Sequence, residues 1–171
     1  VRSFNAQEGV ARLRPFVDTL ITIPNDRLLA LSDKNTTLTM AFSLADDLLV
    51  RAIQGLTSII HSEGVLSVDI SHVLRLMKDQ GGSYISTGTG SGDSRVMGAV
   101  NNALNHPLLD EISLTGASGV IIKLVGHVSV LEVQRAVEYL KSKTSEDTEI
   151  ITAVSENNLL DSEDQVQAML F

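Results

Sequence analysis

The stretch from Thr39 to Ile60 constrains the fold of this chain more than any other part of its sequence. Its apolar residues recur at spacings of three and four without a proline, which predicts one long α-helix. At about 1.5 Å per residue such a helix spans roughly 33 Å, so its two ends lie far apart. Because apolar residues lie on most of its sides, we expect it to be buried in a core. Asp46, Asp47 and Arg51 interrupt the apolar run and argue against a membrane span.

The composition is that of a globular protein. The chain has 171 residues, 43% of them hydrophobic, which is enough for one substantial core or two small ones. Its formal net charge of −8 disfavours a nucleic-acid or anionic-membrane partner, because phosphate groups are bound by basic patches. It has no cysteine, and its histidines lack the spacing of a zinc site. We therefore expect no metal site, no nucleic-acid partner and no direct membrane insertion.

The residues before the long helix predict a helix, a strand and a polar loop. Residues 1–14 read as the tail of a helix, and the β-rich apolar run at residues 17–23 predicts a buried strand. Asn25 and Asp26 follow that strand, and either can cap a short helix. Either Thr36 or Thr37 can cap the long helix.

The remainder of the chain predicts a small α/β sandwich. We expect an amphipathic helix and then the order strand, helix, strand, helix, strand, strand, at residues 69–80, 81–92, 94–105, 120–125, 130–143, 149–154 and 165–171. The two helical crossovers favour parallel strand pairs, whereas the last connection has the form of a hairpin and makes the last strand an edge strand. The predicted fold class is therefore α/β, with a long central helix and a mixed four-stranded sheet.

Several motifs, in order and with matching spacing, carry a resemblance to a known family. They are VDTLITIPNDRLL (17–29), MAFSLADDLL (40–49), EGVLSVD (63–69), GTGSGDSR (88–95), HPLL (106–109) and LTGASGVII (114–122). The chain resembles FtsZ, the bacterial homologue of tubulin, over nearly its whole length. The resemblance implies that residues 1–37 end the nucleotide-binding domain, 38–61 form the central helix, and 62–171 form the C-terminal GTPase-activating and polymerisation domain.

The resemblance implies a cytoskeletal, cytoplasmic GTPase that polymerises head to tail and hydrolyses GTP at the subunit interface during cell division. GTP or GDP and Mg²⁺ would be its cofactors in the full-length protein, and division adaptor proteins its further partners. The glycine-rich phosphate loop of the family is missing from this sequence, so the chain alone should not bind GTP tightly. A divergent, non-catalytic FtsZ-like scaffold is the alternative, and a small-molecule sensor that uses the sandwich alone is a remote third.

Phe42 and Asp46 are four residues apart, so they share one face of the predicted helix. An aromatic ring can stack on a purine, and a carboxylate can accept hydrogen bonds from guanine. The resemblance gives both residues this role through the family pattern AFxxAD. A structural explanation is also open, in which Phe42 is a core residue and Asp46 stabilises the start of the helix through its dipole.

The resemblance adds two nucleotide-binding candidates on the N-terminal side. Asn25 lies in IPND, where the family uses an asparagine at the base or sugar, and it can cap a helix at the same time. Arg2 stands where the family has an arginine near the nucleotide, although its surroundings, VRSFNAQEG, match more loosely.

Asp69 ends the loop that follows the long helix, and the family uses acids of this loop to polarise the attacking water. A helix N-cap is the structural alternative for Asp69. The helix puts Asp69 on the order of 20–30 Å from Asp46, so it would have to act on the nucleotide of a neighbouring subunit. A head-to-tail contact that does not close builds a filament. The family loop usually reads N-x-D-F-A-D-V, and His72 replaces its second acid. The imidazole could act as a base, or the replacement could leave GTP turnover slow or absent.

The glycine-rich segment from Gly88 to Gly92 does not predict a phosphate site. It lacks the pattern GxxxxGK[ST], and its GxGxG spacing differs from that of a dinucleotide-binding loop. We expect these glycines to allow close backbone approach and a turn, and Arg95 to form a surface or interface ion pair.

Overall fold

The computed structural model describes residues 2–22, 37–61, 69–78, 81–106, 114–156 and 164–171. Helix α1 is Arg2–Leu13 and is exposed along nearly its whole length. A 3₁₀ turn, Arg14–Phe16, follows, with a proline in its first positions, where the fixed φ of proline suits a helical start. Strand β1, Thr19–Ile21, comes next. The short helix predicted after Asn25 lies outside the described residues.

Helix α2 spans Leu38–His61 without a break, as the apolar periodicity predicts. The Thr37 side-chain oxygen accepts a hydrogen bond from the backbone N–H of Met40, 3.3 Å away. This bond satisfies one of the amide groups that have no partner within the first turn of a helix. Thr37, one of the two predicted caps, therefore starts the helix.

The prediction that α2 is buried is wrong for much of its length. Phe42, Val50 and Ile53 are 48%, 50% and 65% exposed. Towards the C-terminal end, Ile59 is buried and Gly55 lies against Met169 and Phe171. The described residues thus bury only part of the apolar surface of α2.

Helix α3, Ile70–Met77, is shorter than predicted and begins after Asp69. The glycine-rich segment holds two strands rather than one, β2 (Gly81–Ser83) and β3 (Ser86–Ser91). Strand β2 pairs in parallel with β1 in a separate two-stranded sheet. Because its one partner in the described residues is β2, strand β1 is half-buried and not buried as predicted.

The main sheet has four strands, as predicted, and two helices cover one of its faces. After β3 come α4 (Arg95–Leu104), β4 (Gly119–Val125), α5 (Val130–Lys143), β5 (Glu149–Ser155) and β6 (Gln165–Leu170). The strand order is β3-β6-β4-β5. Strands β4 and β5, joined by α5, are parallel, and β6 is antiparallel to both of its neighbours.

The predicted hairpin between β5 and β6, and the edge position of β6, are both wrong. Strand β6 lies in the interior of the sheet and pairs with β3 on one side and β4 on the other. Val166, Ala168 and Leu170 of β6 are buried against the helices, and Met169 is buried on the opposite face of the sheet. Strands β3 and β4 are therefore parallel in direction, as the crossover predicts, without being neighbours.

The sheet has a separate apolar core on each face. One core joins β4 and β6 to α4 and α5, with Ile122, Val100 and Leu140 fully buried. The other core joins β4 and β5 to the C-terminal part of α2 and to α3, through Ile59 and Val73. Burial of each such Leu, Ile or Val side chain stabilises the folded state by roughly 1.5–3 kcal/mol.

Gly88 and Gly90 face α4 so closely that a Cβ atom on either would overlap the backbone of that helix. The predicted structural role of this glycine-rich segment is therefore confirmed. Arg95 lies 3.5 Å from Glu132 and 3.7 Å from Asp164, which confirms the predicted ion pair.

Candidate functional site

The front half of α2 presents two of the predicted nucleotide-binding residues. Phe42 and Asp46 lie on the helix within one turn and are both exposed. The explanation of Phe42 as a core residue is wrong for this structure, since 48% of its surface is exposed. An exposed ring beside an exposed carboxylate is free to contact a flat, hydrogen-bonding ligand or another protein surface.

The other two nucleotide-binding candidates are less informative. Arg2 is the first residue of α1, and its side chain is not among those described. Asn25 lies outside the described residues. Their roles therefore stay predictions.

Asp69 is the N-cap of α3, as the structural alternative predicts. Its carboxylate accepts a hydrogen bond from the backbone N–H of Ser71, 2.9 Å away. This hydrogen bond is the main cause that lowers the pKa of Asp69, and the nearby His72 lowers it further. The cap leaves Asp69 exposed and ionised at neutral pH, so the cap does not prevent the carboxylate from contacting a ligand.

His72 lies in the first turn of α3, directly beside Asp69. Its backbone N–H donates to the carbonyl oxygen of Asp69, 3.0 Å away, and its side chain is exposed. The two predicted catalytic residues therefore lie together on the surface at the start of α3.

The two predicted sites lie at opposite ends of α2. Ile59 and Val73 belong to one buried cluster, which fixes the start of α3 near the C-terminal end of α2. The rise between Asp46 and Ile59 is roughly 20 Å at about 1.5 Å per residue. Asp69, one turn before Val73, is therefore far from Asp46 in the same molecule.

A family profile described as "FtsZ family, C-terminal domain" matches residues 81–170, more than half of this 171-residue chain. The chain belongs to the FtsZ family. The four-stranded sheet and the core that joins it to α4 and α5 lie within the matched segment.

FtsZ proteins from several organisms are similar to the chain over most of its length. "Cell division protein FtsZ 1" of Pyrococcus woesei is 37% identical over 154 residues, which are 90% of this chain and 42% of that protein. "Cell division protein FtsZ 2" of Rhizobium meliloti (strain 1021) is 34% identical over 162 residues, 94% of this chain and 47% of the relative. The chain thus spans about half the length of the curated relatives it matches.

The fold is also that of FtsZ. The solved structure "FtsZ dimer, empty (M. jannaschii)" superimposes with a TM-score of 0.88 at 33% identity, covering 97% of this chain and 48% of that one. The predicted FtsZ-like α/β architecture, with a long helix and a mixed four-stranded sheet, is therefore confirmed.

Two features near the FtsZ-like sheet were not singled out from the sequence. Lys123 is buried in the middle of β4, where burial lowers the pKa of its ammonium group. A single lysine inside the apolar run VIIKLV is a signal that could have indicated it. Ser86 is buried beside a cavity, and no sequence pattern marks it because serine is common at the start of strands and turns.

Neither a membrane span nor a metal site emerges from the described part of this FtsZ chain. None of its helices is long and apolar enough to cross a bilayer. Within the same residues, no three His, Asp or Glu side chains are grouped so that they could hold a metal ion.

Proposed function

We propose that these residues are the C-terminal half of a cytoplasmic FtsZ subunit, which polymerises head to tail and hydrolyses GTP between subunits during cell division. GTP and Mg²⁺ would be held mainly by a preceding nucleotide-binding half, since the relatives are about twice as long as this chain. The observation that carries the proposal is the unbroken helix α2, with Phe42 and Asp46 near its start and Asp69 beyond its end.

Phe42 and Asp46 would recognise the guanine base. The exposed ring of Phe42 offers a stacking surface, and the exposed carboxylate of Asp46 can accept two hydrogen bonds from the guanine edge. Arg2 and Asn25 would contact the nucleotide from the N-terminal side, as the family pattern implies. These contacts select guanine over adenine, whose edge does not present the same donors.

Asp69 would act on the nucleotide of the next subunit. Roughly 20 Å of helix separates Asp46 from the buried end of α2. The carboxylate of Asp69 therefore cannot reach a base that Asp46 binds in the same molecule. A neighbour stacked end to end would bring the base-binding end of one α2 close to the Asp69 end of the other. The relative from M. jannaschii was solved as a dimer, which agrees with self-association of this family.

A non-catalytic scaffold is the second candidate, and His72 is the observation that favours it. The family loop carries a second acid at this position, and an exposed imidazole does not hold Mg²⁺ as a carboxylate does. Such a polymer would still bind GTP and division adaptors, but it would turn GTP over slowly or not at all.

Single-turnover GTP hydrolysis by the full-length polymer separates the two candidates. Asp69→Asn is the informative variant, because asparagine caps a helix as well as aspartate but cannot act as an acid or base. We expect Asp69→Asn to fold normally and to lose about 100-fold in hydrolysis rate.

Asp69→Ala is the matched variant that also removes the cap, so it should lose α3 stability as well as hydrolysis. If the polymer hydrolyses GTP and Asp69→Asn leaves its rate unchanged, the assignment of Asp69 is wrong. If the unmodified polymer binds GTP and does not hydrolyse it, the scaffold is the better description.

A further inference from the structure

A cavity of about 620 Å³ lies at one end of the four-stranded sheet. It is bounded by the first residues of β3 and β4, the last residues of β6 and the C-terminal end of α5. Its volume is within the range of roughly 300–1,000 Å³ that is usual for small-molecule sites. Neither end of the proposed nucleotide chemistry, at Asp46 or at Asp69, contributes to its wall.

Much of the cavity wall is apolar and comes from separate elements of the fold. Leu104 of α4, Leu170 of β6 and Val120 of β4 contribute from the helix-covered face of the sheet. Leu56 of α2 and Phe171 contribute from the other side. A ligand with a flat apolar body would gain burial on two sides in such a space.

The hydroxyl of Ser86 is the first indication that the cavity takes a polar ligand. Ser86 is 1% exposed, and its Oγ atom has no hydrogen-bond partner among the described residues. Its cross-strand partner is Leu170, so both side chains lie on the helix-covered face of the sheet and both line the cavity. A buried hydroxyl without a partner destabilises the folded protein. A ligand atom that forms a hydrogen bond with it removes this destabilisation.

Other polar groups on the wall already have partners within the protein. The hydroxyl of Tyr139 donates to Oδ1 of Asn101, 2.7 Å away. The side-chain amide of Asn105 donates to the carbonyl oxygen of Asn101, 2.8 Å away, and the Thr19 hydroxyl donates to the carbonyl oxygen of Met77. These groups shape the cavity, whereas the Ser86 hydroxyl can still form a hydrogen bond with a ligand.

The charge of the wall indicates the kind of polar ligand. Lys143 lies at the mouth, with its Nζ atom 5.5 Å from the centre of the Tyr139 ring, and its side chain is exposed. The described lining residues include no aspartate or glutamate. Lys143 is the one charged side chain among the described lining residues, and its ammonium group favours an anionic group beside it.

We propose that this cavity binds a small molecule with a flat, largely apolar body and one carboxylate. The body lies between the apolar walls and carries a polar atom that bonds to the Ser86 hydroxyl, and the carboxylate pairs with Lys143. This site is independent of the proposed GTPase function, because none of the residues assigned to nucleotide or catalysis lines it.

The probes for the test are 6-hydroxynaphthalene-2-carboxylate and its uncharged analogue, 6-hydroxynaphthalene-2-carboxamide, whose ring hydroxyl is the polar atom for Ser86. Each is titrated into the ¹⁵N-labelled 171-residue chain, and backbone amide resonances are followed. We expect saturable shifts at Ser86, Tyr139 and Leu170. The carboxylate should bind about fivefold more tightly than the amide, as expected for one partly exposed ion pair.

Lys143→Met should remove the preference for the carboxylate and leave the amide affinity unchanged. Lys141→Met is the matched control, since it removes the same charge from α5 at an exposed position that does not line the cavity. Ser86→Ala should weaken both probes about fivefold without lowering the melting temperature, because the hydroxyl has no partner in the protein to lose.

Three results would overturn the proposal. One is the absence of saturable shifts around the cavity at millimolar probe, including the case in which shifts appear at the exposed front of α2 instead. Another is an equal loss of affinity for the carboxylate probe in Lys143→Met and Lys141→Met. The third is unchanged affinity in Ser86→Ala, which would mean that water satisfies this hydroxyl throughout. None of these results bears on GTP hydrolysis, which is measured at other residues.

Discussion

The Cα atom of Gly88 lies against the backbone of Ala103, with no room for a side chain between strand β3 and helix α4. The atoms that a Cβ would meet belong to the helix backbone, which cannot move away as a flexible side chain can. The close packing of the helix on this edge strand therefore depends on glycine at this position.

Gly88→Ala is expected to lower the free energy of unfolding by about 3 kcal/mol, because the helix has to move away from the sheet. Gly116→Ala is the control, since no atom lies within 4 Å of the position of its added Cβ. Urea denaturation of both variants gives the comparison. Equal stability of the two would contradict the close contact between β3 and α4.

Tyr139→Phe should cost about 1–2 kcal/mol of stability. The phenol donates to Asn101, and its removal leaves the side-chain oxygen of Asn101 without that partner in a half-buried position between α4 and α5. Tyr84→Phe, at an exposed position, should change stability by less than about 0.5 kcal/mol. Thermal unfolding measures the stability of both variants. If Tyr139→Phe is as stable as the wild type, the hydrogen bond from Tyr139 to Asn101 is not formed in solution.

Glu132 should make stability depend on pH on the acid side. Burial alone raises the pKa of Glu132, but hydrogen bonds from Ser129 and the charge of Arg95 together lower it below its ordinary value of 4.5. A carboxyl whose pKa is lower in the folded state stabilises the fold above its unfolded pKa. That contribution is lost as the pH falls through the folded value.

The stability of the wild type should therefore exceed that of Glu132→Gln by about 1 kcal/mol at pH 7. The difference should shrink as the pH falls below 4.5, the ordinary value for this group. Glu146→Gln, at an exposed position in the turn before β5, serves as the control and should show no such trend. A difference that stays constant down to pH 2.5 would show that the ionised carboxylate is not what stabilises the start of α5.

Asp46→Ala in the full-length protein should weaken GTP binding about 10- to 100-fold, the loss expected for one two-bond contact to a base. Asp47→Ala is the matched control, because Asp47 is exposed on the same helix but offset by one residue. Equilibrium binding of fluorescent GTP measures both. Equal effects of the two substitutions would indicate a general charge effect and not base recognition.

His72→Asp should raise GTP turnover by the full-length polymer at least about tenfold, because it restores the second acid of the family loop. Phosphate release per polymerised subunit is the measurement. The double variant His72→Asp with Asp69→Asn tests whether the gain requires the neighbouring acid. If His72→Asp has no effect while the wild type turns over normally, the imidazole already performs the role of the acid.

The regular helices were predictable from sequence because their apolar residues recur at helical spacing. The residues of α2 repeat at helical spacing, and Ser129 with Glu132 forms a capping box at the start of α5, so both boundaries are encoded locally. The position of β6 was not predictable in this way. Its neighbours β3 and β4 are distant in sequence, and neighbouring strands in the chain do not have to be neighbours in the sheet.

The candidate site was predictable only in part. The spacing of Phe42 and Asp46 places them on one face of a helix, and the cap at Asp69 follows from residue type. The exposure of Phe42 was not predictable, because an aromatic residue in an apolar helix is usually buried. The cavity at Ser86 is formed by elements that are distant in sequence, and no local pattern of residues records how they meet.

The interior position of β6 has a consequence for the order in which the protein is made. Strand β3 joins β4 in the sheet only through β6, which is the last strand described and is synthesised after both. During translation, the two parts of the sheet must therefore wait with unpaired backbone edges until residues 165–170 leave the ribosome. Until then, exposed edges of this kind can pair with other chains.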